Sequence, residues 1–339
     1  MRRLARTVLI FPGQGTQRVG MGRDLARDFA AARDTFDEID EALQRNLSTL
    51  MFEGDADELR CTDNAQLAVF ALSSAMLAAL RAEGAADALN VHAAVGHSLG
   101  HFTAAAAAGV LPLAHTARIV RVRGEAMRDA FDAQAERAHA MVAALPLSHA
   151  DALALLAELN ASWVAYGESA RTRVCAIANV NAPRQVVLSG FAEDVAAAIE
   201  LGKASYGVRR GVALDVGAPF HCALMAPAAD ALRAALNDVD LAPPRITLLS
   251  NVTGAPLVGG DEIADDMVRQ LTAPVLWSRC VERAAALPLE CTRFVELGSS
   301  GTLGRLVRQC APDAVCEGLG DAAELGAFVQ RVSGAAPPW

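Results

Sequence analysis

The sequence predicts an α/β protein in which a small lobe is inserted into a larger one. Apolar runs typical of strands alternate with helical patterns along most of the 339 residues, which is the order of an α/β fold. Residues 95–100 have the form of a tight turn between a strand and a helix. Between residues 131 and 208 the order changes to β-α-β-β-α-β, the ferredoxin-like pattern. We therefore assign residues 1–130 and 209–339 to the large lobe and residues 131–208 to the small one.

Hydrophobic periodicity predicts the strands and helices of the large lobe. A β-branched run predicts a first strand at residues 7–11, followed by the glycine-rich loop Pro12-Gly-Gln-Gly15. The other predicted strands lie at residues 91–95, 246–250 and 292–297, and the predicted helices at residues 21–46, 65–83, 116–130, 261–271 and 277–286. We predict a further helix that ends near residue 238, and one or two more before a proline-rich tail.

The small lobe is predicted from four strands and two helices. The strands lie at residues 139–145, 174–180, 185–189 and 208–216, and the helices at residues 149–159 and 192–201. Ligands favour the interface between such a lobe and the rest of a protein, so we expect the functional site there.

Composition excludes several classes of protein. A hydrophobic content of 53% with 20% charged residues excludes a disordered chain, and a net charge of −9 argues against nucleic acid as the main partner. Seven scattered cysteines without a C-x-x-C pair indicate reduced thiols in a cytoplasmic protein, and no cluster of histidine and cysteine suggests a metal site.

Two apolar runs bear on targeting and membranes. The run at residues 7–11 is too short for the core of a signal peptide, and the alanine-rich stretch at residues 102–114 is too short to cross a bilayer. We therefore expect a soluble protein that does not bind membranes.

Gly96-His97-Ser98-Leu99-Gly100 carries the strongest chemical signal. Glycines on both sides of Ser98 allow a turn so tight that the backbone is strained and the hydroxyl is lifted away from the sheet. The helix that begins at Leu99 aims its free N–H groups at an oxyanion formed beside the serine. This pattern predicts a nucleophile elbow, and a capping serine in an ordinary turn is the alternative.

A nucleophilic serine needs a base, and seven histidines are available, of which His97 and His221 are the candidates. His97 adjoins the serine, but the side chain of a neighbour in a tight turn points elsewhere. His221 lies in a loop between a strand and a helix, where bases of this architecture lie. No aspartate stands out as its orienting partner, and a backbone carbonyl or an amide can take that role. A structural histidine at this position is the alternative.

Arg118, Arg121 and Arg123 lie on one predicted helix. Such a group is usually a solvated face. Arg121 and Arg123 are two positions apart, however, and cannot share a face of a helix. One of the two should therefore point inward.

Together these motifs resemble one family. The sequence contains, in order, Phe-Pro-Gly-Gln-Gly at 11–15, Gly-His-Ser-Leu-Gly at 96–100, Arg-Val-Arg-Gly at 121–124, Phe-His-Cys-Ala-Leu-Met at 220–225, Ser-Asn-Val-Thr-Gly at 250–254 and Arg-Gln-Leu-Thr-Ala-Pro-Val at 269–275. In this order they resemble the malonyl-CoA:acyl carrier protein transacylase family, which includes the acyltransferases of polyketide synthases. The resemblance covers residues 7 to 310 and implies an α/β-hydrolase-like large subdomain with an inserted ferredoxin-like small subdomain.

The resemblance also implies roles for individual residues. Ser98 corresponds to the acylated nucleophile and His221 to its general base, and the backbone N–H groups of Gln14 and Leu99 correspond to the oxyanion hole. At the substrate site, Arg123 corresponds to the arginine that holds the free carboxylate of the substrate, Gln66 lines the pocket, and the backbone carbonyl of Gln270 orients the histidine. His97 and Phe220 are expected to contact the substrate as well.

Two departures from the family pattern indicate a specialised member. His101 stands where the family commonly has glutamate, three positions after Ser98, and residues 163–173 form a longer segment than in the housekeeping enzymes. We expect His101 beside the pocket or just behind its wall, with a packed or solvent-facing histidine as the alternative. Phe220 before the histidine resembles the malonyl-selective members.

The implied activity is transfer of a malonyl group from malonyl-CoA to the phosphopantetheine thiol of an acyl carrier protein, through a serine acyl-enzyme and without metal or redox cofactor. The member would serve polyketide or fatty-acid synthesis. The alternatives are an acyl hydrolase that clears carrier proteins, the transacylase subunit of a malonate decarboxylase, and an inactive docking subunit. An esterase is disfavoured because no acidic third residue stands out.

Overall fold

Two β-sheets organise the chain. The computed structural model describes residues 5–133, 136–165, 173–298 and 301–334. The strands are β1 Thr7–Phe11, β2 Val91–Gly96, β3 His139–Leu145, β4 Cys175–Ala182, β5 Gln185–Phe191, β6 Arg210–Ala213, β7 Thr247–Leu249, β8 Pro256–Leu257, β9 Arg293–Leu297 and β10 Val315–Leu319. The helices of the first half are α1 Arg23–Asp28, α2 Ala30–Leu43, α3 Leu47–Glu53, α4 Ala56–Arg60, α5 Thr62–Ala82, α6 Ala85–Ala88, α7 Gly100–Ala107 and α8 Leu113–Asp132. Those that follow are α9 His149–Ala165, α10 Ala192–Ser205, α11 Ala226–Asn237, α12 Gly260–Arg269, α13 Trp277–Ala285, α14 Thr302–Cys310 and α15 Ala322–Ser333, with a 3₁₀ turn at Ala223–Met225.

The larger sheet has six strands in the order β10-β9-β1-β2-β7-β8. All neighbours are parallel except β7 and β8, which are antiparallel. Every residue of β1 is buried, as expected for a strand covered on both faces. Phe11 at the end of β1 pairs with Gly96 at the end of β2, so the loop after β1 lies beside the turn after β2.

The turn from β2 into α7 is the predicted elbow. Steric contacts explain why glycine is required on both sides of Ser98. Ser98 has a φ of 52°, in the left-handed region. A Cβ on Gly96 would lie 1.8 Å from the carbonyl carbon of Gly100, and one on Gly100 would lie 2.1 Å from the backbone oxygen of Phe11. No other residue type fits either position without moving the backbone.

The smaller sheet has the antiparallel order β4-β5-β3-β6. With α9 after β3 and α10 after β5, this is the predicted ferredoxin-like arrangement. Apolar side chains of both helices, such as Leu155 and Ile199, pack against strand residues such as Leu188. Its last strand, β6, pairs with β3 over residues 210–213. The predicted insert of residues 131–208 therefore ends too early to contain the whole sheet, and the boundaries between the two lobes otherwise stay a prediction.

Helix α5 runs through the core of the large lobe. By length and composition alone it could cross a membrane, but 83% of its apolar stretch is buried inside the protein. It contacts α2, α7 and α8, so burial in the core explains its composition.

Two further sequence predictions differ from the structure. The helix predicted at residues 21–46 is divided at Phe29, whose backbone is extended, with a φ of −125°. Beyond residue 310 only helices were predicted, but β10 lies between α14 and α15. This edge strand reads Val-Cys-Glu-Gly-Leu and lacks the continuous apolar run that would mark a buried strand. Of the segment predicted to be long, residues 166–172 lie outside the described residues, as do residues 299–300 and residues 335–339, where a proline-rich tail was predicted.

The space around two glycines, one in the elbow and one on α15, predicts opposite effects for their substitution by alanine. Gly96→Ala should destabilise the protein by about 3 kcal/mol or more, because the new Cβ collides with backbone. Gly326→Ala, on α15 with nothing within 4 Å of the new Cβ, should stabilise it by about 0.5 kcal/mol. Urea unfolding of both variants provides the check. A Gly96→Ala variant as stable as wild type would contradict the steric argument.

Candidate active site

A pocket of about 130 Å³ opens where the loop after β1, the elbow and the small sheet meet. Gln14 comes from the loop after β1 and Ser98 from the elbow, while Gln66 on α5 and Arg123 on α8 contribute from the helices. The full lining is Gln14, Gln66, His97, Ser98, Leu99, Arg123, Met127, Met141, Asn179, Asn181, Leu214, Val216, Phe220 and His221. The structure thus brings together all the predicted site residues except Gln270, which lies directly behind His221.

Ser98 and His221 form a hydrogen-bonded pair. The serine Oγ lies 2.8 Å from Nε2 of His221, and Nδ1 of the same ring lies 2.7 Å from the backbone oxygen of Gln270. A carbonyl only accepts, so Nδ1 carries the proton and Nε2 presents a lone pair to the serine hydroxyl. The backbone carbonyl of Gln270 therefore orients the histidine, a role that an aspartate has in other serine enzymes.

His221 is kept neutral by its surroundings. The pKa of His221 is lowered to about 3: burial is the largest cause and the nearby charge of Arg123 the next, while the hydrogen bond to Gln270 acts in the opposite direction. At neutral pH the imidazole is therefore free to accept a proton from Ser98.

Arg123 is the cation of the pocket, and its side chain is among the most deeply buried in the protein. Its guanidinium donates to Oε1 of Gln66 and, from Nη2, to Oε1 of Gln270 at 3.2 Å and to the Ser98 hydroxyl at 3.2 Å. Its Nε is buried and has no hydrogen-bond partner in the described part of the chain. Burial lowers the pKa of Arg123 to about 9, so the group stays charged at neutral pH.

No carboxylate within the described ranges forms an ion pair with this guanidinium. The neighbouring Arg121 is partly exposed and donates to the backbone oxygen of Leu43 at 3.2 Å. Helix α8 therefore turns Arg123 inward and Arg121 outward, as the two-residue spacing predicted. The result is a buried cation beside a serine hydroxyl; among the residues described, this cation has a free donor and no counter-ion.

Two backbone N–H groups of the pocket lack an acceptor within the described ranges. The N–H of Ser98 itself donates to Oδ1 of Asn251 at 3.0 Å and is not available to a ligand. For Gln14 and Leu99, no acceptor among the residues that the structure describes takes the backbone N–H, and both residues line the pocket. Two free donors beside a serine hydroxyl can hold an oxyanion.

Sequence reasoning missed Asn251, as it did the lining residues Met127, Met141, Asn179, Asn181, Leu214 and Val216. Oδ1 of Asn251 accepts from Ser98 N, and its Nδ2 donates to the backbone oxygen of Gly96 at 2.8 Å. Nε2 of Gln270 donates to the same Oδ1 at 2.9 Å and to the backbone oxygen of Ser98 at 3.0 Å. The two amide side chains fix the strained backbone of the elbow. The motif Ser-Asn-Val-Thr-Gly at 250–254 was the available signal, but it gave no role to the asparagine.

The remaining predicted residues lie around the pocket or behind it. His97 turns away from the serine hydroxyl: its Nε2 lies 2.9 Å from Oδ1 of Asn181. Phe220 is 7% exposed and forms part of the wall. His101 does not reach the pocket; it is fully buried, and its Nε2 lies 3.2 Å from Oδ2 of Asp266.

Comparison with known proteins shows which family has this sequence. A family model described as an acyl transferase domain matches residues 8–315. The chain is 36% identical over 306 residues to the malonyl CoA-acyl carrier protein transacylase of Bacillus subtilis, covering 90% of each chain. It is 34% identical over 322 residues to the protein of that name from Escherichia coli, covering 95% of this chain and 98% of the relative.

Solved structures agree with the sequence comparison. An acyl-carrier-protein-S-malonyltransferase from Bartonella henselae is 36% identical with a TM-score of 0.85, and the match covers 96% of this chain and 99% of that one. A second similar structure shows a type II polyketide synthase acyl-carrier protein in complex with its malonyl-transacylase, at 29% identity, a TM-score of 0.85 and coverage of 96% and 100%. The chain therefore belongs to the malonyl-CoA:acyl carrier protein transacylase family.

Proposed function

We propose that this protein transfers the malonyl group of malonyl-CoA to the phosphopantetheine thiol of an acyl carrier protein. The observation that carries the proposal is Arg123, a buried guanidinium beside Ser98 with a free Nε and no counter-ion among the described residues. A buried charge without a partner is costly. A substrate that brings its own carboxylate removes that cost, and two parallel N–H groups of arginine match the two carboxylate oxygens.

In the first half-reaction, Ser98 attacks the thioester carbonyl while Nε2 of His221 takes its proton. The oxyanion is held by the N–H groups of Gln14 and Leu99, and the carbonyl of Gln270 stabilises the imidazolium through Nδ1–H. The C–S bond then breaks, and the CoA sulfur leaves with the proton from His221. This leaves a malonyl ester on Ser98 and a neutral histidine.

In the second half-reaction, the phosphopantetheine thiol of the carrier protein gives its proton to His221 and attacks the ester carbonyl. The same two N–H groups hold the new oxyanion. The C–O bond to Ser98 breaks, the serine regains its proton from His221, and the malonyl group is left as a thioester on the carrier protein. No step requires a metal or redox cofactor.

The acceptor and the setting are supported by the relatives. Two curated relatives carry the name malonyl CoA-acyl carrier protein transacylase, and one similar structure contains a carrier protein bound to its malonyl-transacylase. We propose a carrier protein of fatty-acid or polyketide synthesis as the acceptor, in the cytoplasm. The hydrolase alternative gives no role to Arg123, because a plain acyl group has no charge for a buried cation to bind.

Incubation with malonyl-CoA should add one malonyl group to the protein, and Ser98→Ala should gain none. Intact mass spectrometry measures both, with Ser162→Ala, an exposed serine on α9, as the control that should load like wild type. Adding a carrier protein with its phosphopantetheine should move the group from the enzyme to the carrier. Loading that persists in Ser98→Ala would rule out Ser98 as the acylated residue.

Arg123→Ala should lower kcat/KM for malonyl-CoA about a hundredfold or more, the scale seen when one partner of a buried pair is removed. Transfer from acetyl-CoA should be unchanged or faster, because an acetyl group leaves the cation buried and unpaired in the wild type. Arg121→Ala, two residues away and outside the pocket, is the matched control and should behave as wild type with both substrates. An equal fall for both substrates in Arg123→Ala would show that Arg123 supports the fold instead of the substrate.

A further inference from the structure

A second pair of ionisable side chains is buried behind the pocket wall. The side chains of His101 on α7 and Asp266 on α12 are 0% and 4% exposed, and Nε2 of the histidine lies 3.2 Å from Oδ2 of the aspartate. Burial acts to raise the pKa of Asp266, but the contact with His101 and a hydrogen bond from Ser250 outweigh it and leave the pKa below its usual value. Neither side chain lines the pocket, so the proposed reaction leaves this buried pair without a role.

One arm of the network runs from Asp266 to the elbow. Oδ1 of Asp266 accepts a hydrogen bond from the Ser250 hydroxyl, which in turn accepts from the N–H groups of Val252 at 3.1 Å and Thr253 at 2.9 Å. The carboxylate thus fixes the turn that carries Asn251. Through that asparagine the arm ends on the backbone on both sides of His97, at the oxygen of Gly96 and the N–H of Ser98.

The other arm runs from Asp266 along α12 to the base. Gln270 follows Asp266 by one helical turn, and its N–H donates to the Asp266 backbone oxygen at 2.9 Å. The backbone oxygen of Gln270 then accepts from Nδ1 of His221 at 2.7 Å. The contact with His101 joins α12, which carries this carbonyl, to α7, which begins at the elbow.

We propose that His101 and Asp266 form a positioning pair that sets the distance between Ser98 and His221. The pair holds the serine through Ser250 and Asn251, and it holds the histidine through the end of α12. His101 meets Ser98 only through its backbone, whose N–H donates to the Ser98 backbone oxygen at 3.0 Å. Among the described residues, neither the His101 nor the Asp266 side chain forms a hydrogen bond with Ser98 or His221, so both side chains act through other groups. The inference rests on the proposed function only in that Ser98 and His221 are its reacting groups, because the pair acts on the serine whichever acyl donor is used.

The test uses the full chain and two reagents that report on Ser98. Phenylmethylsulfonyl fluoride labels an activated serine without a CoA or carboxylate group, and malonyl-CoA loads the proposed substrate. Intact mass gives the rate of each reaction. Asp266→Ala and His101→Ala should slow both reactions about tenfold to a hundredfold, because a small misplacement of reacting groups costs that much. KM for malonyl-CoA should change far less than kcat, since Arg123 is untouched.

Three comparisons separate positioning from general damage. Asp265→Ala, on the same helix with an exposed side chain, should react as wild type. Asp266→Asn keeps an acceptor for Ser250 and should recover most of the rate lost in Asp266→Ala. The double variant His101→Ala/Asp266→Ala should be no slower than the slower single variant, because the two residues act as one unit.

The labelling rates test the positioning role of His101 and Asp266 separately from the proposed malonyl transfer. A folded Asp266→Ala variant with wild-type rates overturns the positioning role, as does an equal loss in Asp265→Ala. If Asp266→Ala does not fold, Ser250→Ala decides: slower labelling supports the arm through Asn251, and an unchanged rate overturns it. A wild-type protein that reacts with the sulfonyl fluoride but not with malonyl-CoA refutes the proposed function alone, and a protein that reacts with neither refutes both.

Discussion

The buried charge of Arg123 is the constraint on which the site depends. Its guanidinium lies 3.2 Å from the Ser98 hydroxyl and shares the pocket with His221. A second positive charge there would be repelled, which is one reason why the histidine is neutral and able to act as a base. The same guanidinium has a free Nε and no counter-ion in the described part of the chain. Arg123 therefore adds to the effect of burial in keeping the base neutral, and it also sets the charge that the substrate must carry.

The position of that cation is useful only if the serine is held against it. Ser98 occupies a left-handed backbone conformation that is unfavourable for a residue with a Cβ. Glycines at positions 96 and 100 make room for the turn, and the amides of Asn251 and Gln270 bind the backbone on both sides of the serine. The strain is thus maintained by groups far away in sequence, and one of them, Gln270, also orients His221 through its backbone carbonyl.

The sequence predicted the parts of this site that depend on local patterns. The two glycines around Ser98 marked the elbow, and the spacing of Arg121 and Arg123 showed that one of them points inward. The order of the small-lobe elements predicted its sheet. What the sequence could not show were contacts between distant backbone and side-chain groups: the amide of Asn251 reaches Ser98 across 153 positions. The contact of His101 with Asp266 was missed for the same reason. Strand β10 was missed because a partly exposed edge strand needs no apolar run.

A crystal structure of the malonyl-loaded protein tests the central claim most directly. If Arg123 is the receptor for the carboxylate of the substrate, the malonyl ester on Ser98 should place its two carboxylate oxygens within hydrogen-bond distance of Nε and Nη2 of Arg123. The carbonyl oxygen of the ester should face the N–H groups of Gln14 and Leu99. A carboxylate that points to solvent or pairs with another cation, with Arg123 still bound only to Gln66 and Gln270, would contradict the account.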